Sequence, residues 1–171
     1  MDGSTLTDQF YSDLKRRMRW WKRPWRRHFS RTQVVLAVAP AYVSLAEVVG
    51  SISGRRTITD QEVGLLREAL RWCSQGADNL EGLARVRSAD PFCQEAWWYL
   101  RVCQQSLLNV LASVTSEPVQ ELPALSMTLG GTEDPPPPGG HRTEFWVRRL
   151  FDGAERLRQM LAVLAQRKAW S

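Results

Sequence analysis

Residues 90–114 read DPFCQEAWWYLRVCQQSLLNVLASV. Asp followed by Pro is a helix start: the carboxylate can accept from the free amides of the first turn, and proline's fixed φ suits a position that needs no donor. Behind it Phe92, Ala96, Tyr99, Cys103, Leu107, Val110 and Val114 recur three and four residues apart. Side chains at that spacing share one face of a helix, so about six turns carry an apolar face that must be buried. Nothing elsewhere in the chain supplies partner strands. The stretch therefore sets the fold class, all-α.

Working outward, the same rhythm recurs on both sides. Downstream, a helix starts near Thr143, and Val147, Leu150, Ala154, Leu157, Leu161 and Leu164 form a narrow seam flanked by arginines and glutamates. That seam fits docking on the bundle or on another chain. Upstream, Thr59 with Glu62 has capping-box spacing, and Val63, Leu66, Leu70 and Cys73 fall on one face. Gly76 reads as a stop, followed by a shorter helix from Asp78 with Leu80, Leu83 and Ala84 inward. Gln33 to Val49 is apolar all round, the mark of a buried helix. Nearest the start, a helix opens near Thr5 or Thr7, carries Phe10, Leu14, Met18, Trp21 and Trp25, and is kinked or ended by Pro24. The expectation is a single helical bundle of about five helices.

One composition break interrupts it. From Glu117 to Arg142, Pro118, Pro123, the Pro135–Pro138 run and two Gly-Gly pairs forbid a regular helix. The chain thus divides into a basic Trp/Arg-rich helix (1–32), a helical core (33–116), a long proline-rich loop (117–142) and an amphipathic helix packing on the core (143–171).

At 171 residues, 43% apolar and 24% charged, the chain has the size and composition of one folded domain. Arginine is favoured and Lys15, Lys22 and Lys168 are the only lysines, a bias that points to a GC-rich coding sequence. The three cysteines, Cys73, Cys93 and Cys103, form no Cys-x-x-Cys pair, so they read as reduced, buried, small apolar groups rather than as disulfides or zinc ligands. Met1 to Asp8 is polar and does not read as a secretory signal, which makes an intracellular compartment the expectation. Thr32 to Ala46 is uncharged but shorter than the roughly 20 residues that cross a bilayer, and it contains Pro40, so a buried core helix is the better reading.

Catalytic signals are poor. His28 and His141 have no acid or cysteine at metal or triad spacing. Gly50-Ser-Ile-Ser-Gly54 places Ile52 where a nucleophile elbow needs serine. No phosphate-binding or dinucleotide fingerprint occurs. The reading is a non-enzymatic interaction protein without cofactor, metal or small-molecule substrate.

Two segments are candidates for contact. The first holds Arg16, Arg17, Arg19, Trp20, Lys22, Arg23, Arg26 and Arg27, with no acid between Asp13 and Glu47. Guanidinium groups pair with phosphates, and indoles stack on bases or settle at a lipid headgroup boundary. An anionic membrane, nucleic acid or an acidic protein would suit it, with membrane-associated or nuclear placement beside the cytoplasm; solvated arginines on an amphipathic core helix are the bland reading. The second is the strip Val119, Leu122, Leu125, Met127 and Leu129, whose spacing is that of a leucine-rich nuclear export signal. Loop side chains tucked onto the bundle are its bland reading. Pro135–Pro138 reads as a polyproline II spacer.

The order of features resembles the adenovirus early small T antigens, Bcl-2-like inhibitors of apoptosis. The similar points are Trp20, Trp21 and Trp25 at the start, Gln33 to Tyr42 leading into Glu47, Gln61 to Glu68, the Trp-bearing helix Trp97 to Val114, and then a proline-rich region. The family's alanine-rich core segment has no counterpart at Gly82 to Trp97. This resemblance implies an all-helical fold that binds partner helices in an apolar groove, between the 33–49 and 91–114 helices, and so regulates host cell death. A second likeness joins the arginine-rich start to Glu117-Pro-Val, Leu122-Pro-Ala-Leu125 and Thr128-Leu129, as in lentiviral Rev-type RNA exporters; it implies the alternative of an RNA-binding or nucleocytoplasmic shuttling protein.

Overall fold

A computed structural model describes residues 23–52, 58–85, 90–115 and 140–166, with side chains described from Phe29 in the first span and from Thr143 in the last. Among these residues the chain is helical, with no strand: α1 (Arg23–Ile52), α2 (Asp60–Ala84), α3 (Pro91–Thr115) and α4 (Gly140–Leu164). The helix expected before Pro24, the proline-rich loop and the strip Val119 to Leu129 lie outside the described residues.

The caps fall where the sequence places them. The Thr59 hydroxyl accepts from the Glu62 amide at 3.4 Å and opens α2, with Asp60 and Glu62 in a first turn whose dipole favours negative charge. Asp90 opens α3: its Oδ1 accepts from the Phe92 amide at 3.0 Å, and its carbonyl accepts from the Cys93 and Gln94 amides at 2.9 and 3.1 Å. Two boundaries differ from expectation. α1 runs without a break across residues 32 and 33, and Pro24 stands in its first turn, where the missing N–H costs nothing. α4 starts three residues before Thr143.

α2 corrects a larger expectation. Gly76 does not stop it; the two helices read between Thr59 and Ala84 are one. The reason is tertiary. Gly76 is buried where α2 crosses its neighbours, and a Cβ there would lie 2.8 Å from the Ala37 carbonyl oxygen of α1 and 3.3 Å from Leu100 Cδ1 of α3. The glycine is kept for close approach, not for chain reversal.

α2 lies along α1 and α3, and α4 lies along α3 and, more lightly, along α1. The seam on α4 therefore docks on this bundle. Its partner on α3 is again a glycine contact: a Cβ on Gly153 would sit 2.7 Å from Cys103 Sγ. The core is a column of fully buried aliphatics, with Val34, Val38, Ala41 and Leu45 from α1, Leu66 and Leu80 from α2, Leu100 and Leu107 from α3, and Leu150 and Leu157 from α4. Each large one contributes about 1.5–3 kcal/mol by leaving water. Arg101 links the α2–α3 pair: its guanidinium donates to Asp78 at 2.8 Å and to Gln104 at 2.7 Å, with Glu81 at 3.7 Å.

The two kinds of glycine predict opposite effects. Gly76→Val should destabilise the fold by about 1–3 kcal/mol through overpacking. Gly64→Ala, where nothing lies within 4 Å, should stabilise it by about 0.5–1 kcal/mol by restricting the unfolded backbone. Urea denaturation of the two variants checks both signs.

Candidate functional site

Among the described residues, the buried thiols and the polar side chains of α3 are held by the packing and backbone around them. Cys73, Cys93 and Cys103 are free and buried. The neighbouring Cys103 thiol and burial hold Cys73 above the usual thiol range, and burial, with Asp90 nearby, pushes Cys93 up to about 12. Four polar side chains of α3 are used by its own backbone: Ser106, Asn109, Ser113 and Thr115 donate to carbonyls three or four residues earlier, at 2.6–3.0 Å. No group of three His, Cys, Asp or Glu residues suited to a metal occurs among the described residues.

Several arginines have structural work. The Arg31 guanidinium lies 4.9 Å from the centre of the Phe92 ring, with Nε 3.5 Å from Asp90 Oδ2. Both side chains are largely buried, so this cation of the basic run clamps α1 to the start of α3. Arg71, Arg85 and Arg149 likewise stack on Trp72, Trp97 and the Phe145–Trp146 pair. Such contacts contribute about 0.5–1 kcal/mol each where exposed.

Of the predicted contact residues, Arg23, Arg26 and Arg27 belong to the first turns of α1, which hold no acid. Cations at a helix N-terminus oppose the dipole, so their placement does not serve helix stability. Arg16, Arg17, Arg19, Trp20 and Lys22 lie outside the described residues, as do Val119, Leu122, Leu125, Met127 and Leu129.

The groove expected between residues 33–49 and 91–114 takes another form here. α2 flanks both helices on one side and α4 on the other, and Ala41, Leu45, Cys103 and Leu107 have no exposure. That seam is filled core among the described residues.

The surface that sequence reasoning missed is the outer side of α1. Its inward stripe is Val34, Val38, Ala41, Leu45, Val48 and Ile52. Opposite runs a second ladder, Phe29, Thr32, Leu36, Ala39, Val43, Ala46 and Gly50, spaced three and four apart and therefore straight along the helix. Leu36 is 64% exposed and Val43 60%, the two most exposed large apolar side chains described. Glu47 is the sole charge beside this ladder among residues 32–50. An apolar pattern all round suggested complete burial; the structure leaves one side open to water. Pro40 stands one turn after Leu36 and removes a backbone hydrogen bond on this outer side.

No family model, curated protein or solved structure matches the chain. The exposed ladder on α1 and the basic run that precedes it in sequence are the features that bear on function.

The buried thiols give a direct check. A raised pKa keeps a thiol protonated, and the thiolate is the nucleophile. Ellman's reagent at mildly alkaline pH should modify none of the three cysteines in the folded chain and all three in denaturant. A fast-reacting thiol in the native state would contradict the packing.

Proposed function

We propose that the chain is a non-enzymatic helical interaction protein whose contact surface is the outward face of α1. One observation carries this reading: Leu36 and Val43 stand exposed on a helix whose opposite stripe is the core. Single exposed apolar residues need no explanation, but an aligned ladder with one charge beside it is the kind of surface that is covered when the protein acts. The bundle beneath holds the ladder rigid, so little ordering entropy is lost on contact.

A partner helix of the kind the small T likeness implies would read this ladder, since apolar anchors three and four apart are what one helix offers another. Regulation of cell death belongs to this reading through that likeness. The RNA-binding alternative rests on Arg16 to Arg27 and does not need the ladder.

The test uses Leu36→Ser combined with Val43→Ser, changes that touch no core position. In a detergent-free lysate of the native cell, the wild-type chain should sediment in an assembly well above its 19.6 kDa, and nuclease should not release it. The double variant, with an unchanged melting temperature, should sediment as the free chain. An assembly that persists in the variant, or that nuclease dissolves, would remove the ladder from the account and favour the RNA reading.

A further inference from the structure

The ladder on α1 is two rows, not one. The bulky side chains Phe29, Leu36 and Val43 recur every seven residues, and the smaller Thr32, Ala39 and Ala46 recur every seven residues between them. All six lie on one helix whose opposite stripe is the core. Two rows with a seven-residue repeat form the seam of a helix pair, in which the side chains of each helix enter the gaps of the other. The sizes decide which way the second helix runs. In a parallel pair of identical helices equal positions meet, Leu36 against Leu36 in one layer and Ala39 against Ala39 in the next, so layers are alternately crowded and empty. In an antiparallel pair each layer takes one residue from each row: Phe29 with Ala46, Leu36 with Ala39, Val43 with Thr32. Every layer then holds one bulky and one small side chain, which is how an interior fills evenly.

The charge on this face favours the same arrangement. Glu47 is the sole charge beside the ladder among residues 32–50. Parallel pairing would set it against its own copy. Antiparallel pairing puts it level with residue 28 of the other chain, about 28 Å along the axis from the other Glu47 at 1.5 Å per residue. There it lies close to the start of the other α1, the positive end of that helix dipole, whose first turn holds no acid.

We propose that two copies of this chain pair through the outward faces of their α1 helices, antiparallel about a two-fold axis, with Leu36 of each seated beside Ala39 of the other. This rests on the reading that the outward face is the contact surface, and it names the partner. From Phe29 to Ala46 the strip is about 26 Å long and about 10 Å wide. The contact is therefore on the order of 300 Å² per copy, below the roughly 800 Å² per partner of a standard interface. The dimer is accordingly a weak, exchanging one, with a Kd on the order of 10 μM.

Sedimentation equilibrium of the purified full-length chain under reducing conditions, from about 1 to about 200 μM, tests it. The wild-type chain should pass from monomer to dimer across that range and go no further, since a two-fold contact closes on itself. Leu36→Ser with Val43→Ser should raise the Kd at least about tenfold, because each copy loses two apolar side chains from the contact. A melting curve confirms that the variant is folded. Orientation is read by disulfide trapping with a mild oxidant. A Thr32→Cys chain mixed with a Val43→Cys chain should give the mixed cross-linked dimer, and a Glu47→Cys chain should not link to itself. A chain that stays monomeric throughout, a dimer unaltered by the serine changes, or a Glu47→Cys chain that links to itself overturns the proposal. If the wild-type chain is monomeric alone while the serine variant still leaves its cellular assembly, the contact surface stands and a second copy is not its occupant. If the serine variant also stays in that assembly, the contact surface itself falls.

Discussion

Two backbones and a leucine side chain converge at Gly76, and the rest of the bundle is arranged around that approach. With hydrogen in place of a side chain, α2 comes close enough to α1 for its Cα to face the Ala37 carbonyl, while Leu100 of α3 closes the same gap from the other side. Packed interiors have few voids and cannot absorb an added methyl without displacement. Gly153 repeats the device against the Cys103 sulfur and brings α4 onto α3. Two missing side chains thus set the helix spacings, and those spacings decide which faces are covered.

One consequence is the division of α1 into two apolar stripes. The stripe from Val34 to Ile52 is enclosed by α2, α3 and α4. The stripe from Phe29 to Gly50 is left outside, because α2, α3 and α4 surround only the opposite side of α1. Polar residues would be the ordinary solution there, and Glu47 is the single charged one beside it. Leaving Leu36 and Val43 in water forgoes solubility for no gain in the isolated fold. That imbalance, more than any single side chain, favours contact with a partner.

The arginines divide in a similar way. Arg31 belongs to the basic run by sequence but is held against Phe92 and Asp90. It helps to join α1 to α3. Arg23, Arg26 and Arg27 sit where the helix dipole is already positive. The first turn of α1 itself holds no acid to offset them.

Much of the architecture was legible from residue order. The all-helical class, the Thr59 and Asp90 starts, the α3 face and the α4 seam follow from capping chemistry and spacing, which are local and act through hydrogen bonds within four residues. Gly76 was misread because a glycine looks the same whether it ends a helix or lets another backbone approach; only Ala37 and Leu100, distant in sequence, tell the two apart. The open side of α1 was invisible for the same reason. Its composition states that every face is apolar, and burial is not a property of composition. Which face goes inside depends on where α2, α3 and α4 lie, and that is settled by the fit of side chains far apart in the chain, a matter of volume and contact that no linear pattern contains.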